Sequence, residues 1–501
     1  MPTQRVVVRL DEPIAVVRPE LHGQFAEHLG ACVNDGLWVG ERSAIANVGG
    51  FRADVLDALT RLRIPLLRWP GGCFADDYHW EDGVGPRDSR PARVNAWWGH
   101  NLEDNAFGTQ EFLRLCGLLG AKPYLAGNLG SGTPREMKQW VEYCNFTGPS
   151  TLARRRGADG SPQPLGVEYW GVGNENWGCG GSMSPEDYAT AYKRFATYLG
   201  TFTRPPTRMP LFLIACGPNG NNVDWTRRFF AKAGAPAGDW QLHGFAAHYY
   251  CGTAGTATEY SVDQWYELLH RAAAVEKLIL DQRAALDEID PQRKIGLIVD
   301  EWGTWHPPTP GREPNHLWQQ NTLRDALVAA ITLDAFNNHA DKVVMANIAQ
   351  VVNVLQAMIL TDGDRMVLTP TYHAFDLYRP HLGGTAVRLE MESSATVAFV
   401  LGDRRERMAS LSGSATQLGP RVTVSLVNVH ADLPMEVEID LGSVRPNAAT
   451  HAVLTHDDLT AHNTFDDAAA VVPVRSEIDA DVRRFTLPPA SVNVLQFTLA
   501  G

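Results

Sequence analysis

No stretch of about 18 apolar residues runs through the chain, so the sequence offers no membrane-spanning helix. Nor does any cluster of lysines and arginines offset its net charge of -13. Nucleic acid and anionic membrane surfaces are repelled by such a balance, and neither is expected as a partner. The seven cysteines, Cys32, Cys73, Cys116, Cys144, Cys179, Cys216 and Cys251, form an odd set without a Cys-x-x-Cys spacing. They read as reduced thiols rather than as a disulfide framework or a zinc site. The N-terminal stretch from Met1 to Arg9 lacks the apolar core and small-residue cleavage site of a secretory leader, which points to a soluble, cytoplasmic protein. A Gly-x-Gly-x-x-Gly turn is also missing after the first strand-like segment, which counts against a dinucleotide cofactor on an open doubly wound sheet. No cofactor is expected.

What is present is a repeated strand, loop and helix. From Leu21 onward, apolar runs at 21–26, 64–69, 122–127, 167–173, 210–216, 244–249, 294–300 and 342–349 have strand length. Most are followed by a helix-length amphipathic segment. Thr133-Pro-Arg-Glu136 opens one such helix as a capping box with proline at its first position, and Met137, Trp140, Val141 and Cys144 follow at helical spacing. Ser184-Pro-Glu-Asp187 opens another, with Tyr188, Ala191, Tyr192 and Phe195 on one face. Eight such units with right-handed crossovers predict an α/β fold, a closed (β/α)8 TIM barrel spanning residues 19–380. Beyond about residue 380, short alternating segments such as Arg421–Leu426 and Met435–Leu441 predict an all-β, jelly-roll-like sandwich over 381–501. Within Ser491–Leu499 the apolar positions change phase, which predicts a β-bulge. The alternating segment carrying Val6, Val8 and Leu10 has no sheet of its own, and residues 1–18 are expected to join that sandwich.

Two strands end in a carboxylate beside polar and aromatic residues. Val167–Gly173 runs into Asn174, Glu175, Asn176 and Trp177; Lys294–Asp300 runs into Glu301, Trp302 and Trp305. At the ends of the fourth and seventh barrel strands both open onto the C-terminal face, where barrel active sites lie. Glycosidic cleavage needs a proton for the leaving oxygen and a carboxylate for the developing oxocarbenium centre, and two glutamates facing one cavity supply both. A buried structural acceptor is the competing reading for either one. Trp97, Trp98, Trp177, Trp302 and Trp305 fall in predicted loops, where indole faces can cover the C–H surfaces of sugars or simply pack the loops down. His22, His28 and His248 lie near strand ends. A metal-dependent barrel hydrolase would show a His-x-His pair after its first strand, and the single His22 there leaves no metal site expected; the histidines read instead as hydrogen-bonding partners around the carboxylates.

With these residues in view the chain resembles the α-L-arabinofuranosidases of glycoside hydrolase family 51. The resemblance is carried by Gly23–Gly30, Arg68-Trp-Pro-Gly-Gly-Cys-Phe74 with Tyr78–Pro86, Gly171–Gly178, His248-Tyr-Tyr250, Asp300-Glu-Trp302 and Gln350-Val-Val-Asn353. It implies a retaining, exo-acting enzyme in which Glu301 is the nucleophile and Glu175 the acid and then the base. It further implies that Glu27, Cys73, Asn174, His248, Tyr250 and Gln350 surround the sugar, with His248 orienting the carboxylates. For Cys73, a small buried hydrophobe is an equal reading. Arg68 could pair with Glu27. The carbohydrate partner would be a terminal arabinofuranose on arabinan, arabinoxylan or their oligosaccharides, and the family implies a homo-oligomer, the hexamer among its forms. An endo-β-glucanase, a galactofuranosidase and a non-catalytic carbohydrate-binding protein are the other readings of the same residues.

Overall fold

A computed structural model of the chain describes residues 3–238, 240–391 and 395–499, so residues 1–2 of the expected unit 1–18, residue 239 of the expected unit 19–380, and residues 392–394 and 500–501 of the expected unit 381–501 lie outside what is described. Strand β1 (Gln4–Val16) precedes the barrel. The barrel strands are β2 (Gly23–Phe25), β3 (Leu66–Trp69), β4 (Lys122–Gly127), β5 (Tyr169–Val172), β6 (Phe212–Asn219), β7 (Gly244–Gly252), β8 (Gly296–Thr304) and β9 (Val343–Ala349). They close in sequence order, β9 pairing in parallel with β2. Each overlaps one predicted run. Inside, Leu66, Tyr124, Tyr169, Ile214, Ala246, Ile298 and Met345, from seven different strands, form a packed cluster. The barrel interior is therefore filled, and chemistry is confined to its rim.

The two predicted caps hold the helices that flank the fourth strand. Thr133 Oγ1 accepts from the Glu136 amide at 3.2 Å, starting the helix Pro134–Asn145, whose Met137, Trp140, Val141 and Cys144 are buried. The reciprocal half of the box is taken elsewhere, because Glu136 instead binds His79 at 2.8 Å. Ser184 Oγ accepts from the Asp187 amide at 3.1 Å and starts the helix Pro185–Gly200. From that helix the Tyr188 hydroxyl donates to the Val172 carbonyl at 2.7 Å, tying it to the end of β5.

Apart from four two-stranded pairs, the remaining described strands form one nine-stranded sheet in which β1 lies between Thr385–Met391, antiparallel, and Met435–Asp440, parallel. The sheet folds back on itself: Phe485, in the strand at one end of the order, packs 5.8 Å from His451, near the other end. Between the layers lie Val6, Val8, Val424, Val437, Leu495 and Phe497. The bulge predicted in Ser491–Leu499 does not form, since its pairing with Arg421–Asn428 is unbroken in register. The change of phase has another cause. Leu495 and Phe497 face the sheet's own core, whereas Val492 and Val494, on the other face, join the core of the barrel. A strand apolar on both faces mimics a slip.

The helix Leu323–Asn338 mediates this contact and is buried on nearly every face, as expected of a helix held between two layers. Its Asp334 accepts from Ser412, Ser414 and Ser425 of the sheet, at 3.0, 2.8 and 2.6 Å, and from Tyr378 at 2.9 Å. Burial pushes the Asp334 carboxyl up to about 6 even though all four hydroxyls pull it down. Among the described residues no helix is long and apolar enough to cross a membrane.

Candidate active site

Glu301 owes its position to an irregularity in β8. Ala247 of β7 pairs with Val299, but the next residue, His248, pairs with Glu301, so Asp300 is an extra residue in the strand. A bulge of this kind lets two consecutive side chains face the same way. Asp300 turns into the barrel, where Tyr124 and Asn347 donate to it at 2.9 and 3.0 Å. Glu301 stands at the rim. Its Oε1 accepts from Arg68 Nη1 at 2.8 Å and its Oε2 from the Tyr250 hydroxyl at 2.8 Å, with His248 Nδ1 3.5 Å away.

Burial pushes the Glu301 carboxyl up, but His248, Arg68 and the hydrogen bonds together outweigh it and hold the group below the usual carboxylate value. For His248, burial lowers the imidazole and the two glutamates raise it, with a net rise. Arg68 was expected to pair with Glu27. Instead it reaches past that residue, bonding Glu301 and the side-chain Oδ1 of Asn174 and lying 3.5 Å from Asp300.

Glu175 sits in the loop after β5 with a left-handed backbone, φ 45°, a conformation uncommon outside glycine and maintained only where neighbours enforce it. The amides of Gly178 and Gly180 donate to its carbonyl at 2.7 and 3.1 Å. Its Oε1 lies 2.8 Å from His248 Nδ1, and one oxygen each of Glu175 and Glu301, with an imidazole nitrogen of His248, lie within 4.8 Å of one another. Three such donors could in principle hold a cation. The Arg68 guanidinium bonded to Glu301 opposes a second positive charge there.

The cysteine expectation needs correction: Cys73 and Cys179 form a disulfide across 106 residues of sequence. Both sulfurs face Glu175 Oε2, at 3.9 and 3.5 Å. Cys73 is therefore neither a reduced thiol nor a small buried hydrophobe but a half-cystine that joins the loop after β3 to the loop after β5 beside Glu175. The other five cysteines are buried and free.

Glu27, after β2, is buried and accepts from the Phe74 amide, Trp98 Nε1 and Gln350 Nε2 at 3.0, 2.9 and 3.1 Å. Burial, then the charge of Glu301, pushes it up to about 7. A Cβ on Gly71 would lie 2.5 Å from Glu27, and one on Gly72 would lie 3.0 Å from Glu301; only glycines let this main chain run against both acids. Asn174 Nδ2 and Gln350 Oε1 are buried beside the carboxylates and make no hydrogen bond with the described residues.

The structure thus brings Glu27, Cys73, Asn174, Glu175, His248, Tyr250, Glu301 and Gln350 to one rim. Other predicted residues lie apart. Trp302 belongs to β8 and is buried against Phe336 and Phe375, because the strand continues past the bulge. His28 bonds Glu103 and Trp69; His22 is buried against Phe375, and burial pushes it down to about 3. Of the tryptophans, Trp305 is partly exposed with its ring 5.0 Å from that of Tyr250, and Trp98 reaches Glu27.

Sequence reading missed Asp76, Asp300, Tyr124 and Cys179. Asp300 stood beside Glu301 in the same motif, and Cys179 four residues after Glu175.

Comparison with known proteins identifies the family of the chain. A family profile described as the Alpha-L-arabinofuranosidase 1 domain matches residues 58–265, and one described as the Alpha-L-arabinofuranosidase C-terminal domain matches residues 300–491. The first span includes Glu175 and His248, the second Glu301 and Gln350. An intracellular exo-alpha-L-arabinofuranosidase of Bacteroides ovatus is 42% identical, covering 98% of this chain and 95% of that protein. The crystal structure of a GH51 arabinofuranosidase from Xanthomonas axonopodis pv. citri superposes with a TM-score of 0.93 at 40% identity, over 99% of this chain and 100% of that one. For an α-L-arabinofuranosidase from Thermotoga maritima, solved as an arabinose complex, the TM-score is 0.85 at 32% identity, over 99% and 100%.

Proposed function

This chain belongs to the α-L-arabinofuranosidases of glycoside hydrolase family 51, and on that premise we propose that it releases terminal L-arabinofuranose by a retaining, exo-acting double displacement. The observation that carries the stereochemistry is the separation of the two acids. Oxygens of Glu175 and Glu301 lie within 4.8 Å; retaining pairs stand about 5–5.5 Å apart, whereas inverting pairs leave about 6.5–9.5 Å for a water between them.

In the first step an oxygen of Glu301 bonds to the anomeric carbon as the glycosidic C–O bond breaks, and Glu175 gives its proton to the departing oxygen. Arg68 and Tyr250 keep Glu301 anionic and aimed until it attacks. Water then attacks the anomeric carbon, Glu175 takes its proton, and the Glu301 ester bond breaks. The Glu175–His248 contact gives the mobile proton a second seat between turnovers. Asn174 Nδ2, a donor, and Gln350 Oε1, an acceptor, find partners in the sugar hydroxyls, and Glu27 and Tyr250 line the same pocket. The disulfide of Cys73 forms its wall beside the acid. A cytoplasmic setting and assembly into a homo-oligomer belong to the same reading, supported by the family resemblance and by the word intracellular in the relative's name.

Hydrolysis of 4-nitrophenyl α-L-arabinofuranoside by the wild type, Glu175→Ala and Glu301→Ala tests this. Glu301→Ala should be inactive. Glu175→Ala should still form the glycosyl-enzyme from so good a leaving group and regain turnover with azide, giving a glycosyl azide of retained configuration. Cleavage of a galactofuranoside or a β-glucan in its place would overturn the sugar assignment, and cleavage of no glycoside would leave a binding protein.

A further inference from the structure

The turn Cys73–Asp76, which follows β3, contributes more than a wall. Asp76 is a buried carboxylate that touches neither glutamate. Its Oδ1 accepts from the amides of Leu129 and Gly130 at 2.6 and 2.7 Å, in the loop after β4. Its Oδ2 accepts from the Asn174 amide at 2.7 Å and from Asn176 Nδ2 at 3.2 Å, in the loop after β5. The donors to Oδ2 therefore flank Glu175 on both sides. Asn176 in turn donates to the Gly180 carbonyl at 2.8 Å, while the Gly180 amide holds the carbonyl of Glu175. The left-handed residue at the centre of the loop is thus fixed by a ring of bonds that begins at Asp76.

All four partners are N–H donors, so no neutral acceptor of the same shape can replace the carboxylate. An amide at this position would turn its own N–H groups toward two of them. The backbone allows no larger side chain at the loop's closest approach, since a Cβ on Gly180 would lie 2.5 Å from Asp76 and 2.0 Å from the Asn174 carbonyl.

We propose that Asp76 is a positioning residue for the general acid: through Asn174 and Asn176 it holds Glu175 at the leaving-group oxygen, and it has no comparable hold on Glu301. The inference rests on Glu175 being the acid and base. Its signature is a division between substrates rather than a general loss. A leaving group that must be protonated needs an accurately placed acid; 2,4-dinitrophenolate does not.

The test compares wild type, Asp76→Asn, Asn176→Ala and Glu175→Ala on 2,4-dinitrophenyl α-L-arabinofuranoside and on an arabino-oligosaccharide, with and without azide, folding being checked by thermal unfolding. For Asp76→Asn, kcat/KM on the oligosaccharide should fall by about 10²-fold, within the range of general acid catalysis, and change by less than about threefold on the aryl glycoside. On the aryl substrate kcat and KM should fall together, because the base-assisted second step slows, and azide should restore kcat. Asn176→Ala, which removes one strut and leaves the carboxylate, should show the same pattern at about tenfold. Equal losses on both substrates without azide rescue, in either folded variant, would make Asp76 a merely structural residue and overturn the proposal, as would no loss on either. If Glu175→Ala itself fails to divide the substrates, the acid assignment fails first; if it divides them and Asp76→Asn and Asn176→Ala do not, only this inference falls.

Discussion

The seats of the two glutamates differ in nearly every respect. Glu301 lies within a strand, in register with His248, and each oxygen accepts from a group that favours negative charge, Arg68 on one side and the Tyr250 hydroxyl on the other. Glu175 lies beyond its strand in a left-handed turn. One of its oxygens meets the titratable nitrogen of His248 and the other faces two disulfide sulfurs that have no proton to give. In the proposed mechanism identical side chains are given opposite tasks by their surroundings: Glu301 is kept ionised to attack, and Glu175 is placed to give and take a proton.

The strongest way to break this contrast is to remove the cation. Arg68→Leu leaves Glu301 buried without its ion pair, a loss of about 3–5 kcal/mol, and steady-state kinetics should show kcat/KM down by about 10²–10³-fold. The pH profile of that variant sharpens the point. Glu301 titrates below its ordinary 4.5 in the folded enzyme, so its anionic form, and the stability that pairing gives, is complete above that value and lost as pH falls through the lower folded one. Without Arg68 that loss begins at higher pH, and the acid limb of kcat/KM should move upward; an unmoved limb would mean that Arg68 does not govern Glu301.

Tyr250→Phe removes one hydrogen bond to a charged group, about 1.5–3 kcal/mol, and should cost about 10- to 10²-fold in kcat/KM on aryl and sugar leaving groups alike. The smallest effect belongs to the other seat. Opening the Cys73–Cys179 bridge with a reductant should lower turnover of oligosaccharides by about three- to tenfold while sparing activated aryl substrates, because Asp76 still holds the loop. Mass spectrometry of the alkylated protein checks that the bridge has opened.

The same contrast explains what could be read from the sequence. All eight barrel strands were legible, since each is an apolar run with a break after it, and so were Glu175 and Glu301, which interrupt apolar runs with charge. Asn174 came with Glu175 in the same motif, while His248 and Tyr250 came from the separate segment His248-Tyr-Tyr250 through the family resemblance. What escaped depends on distance through space. Nothing local distinguishes Asp76 from other acidic loop residues until the loops after β3, β4 and β5 come together, and Cys179 has a partner 106 residues away. Trp302 escaped for a different reason: the bulge at Asp300 lets β8 continue where a polar sequence suggested that it had ended.

The strand Ser491–Leu499 has a consequence for anyone cutting this protein into parts. Because Val492 and Val494 complete the core of the barrel while Leu495 and Phe497 complete that of the sheet, the last strand of the chain is a party wall. Demolishing it opens both rooms, so a barrel trimmed of its C-terminal sheet would expose an apolar face together with the buried Asp334 carboxyl that the sheet's serines now satisfy. The enzyme has two architectures and one foundation.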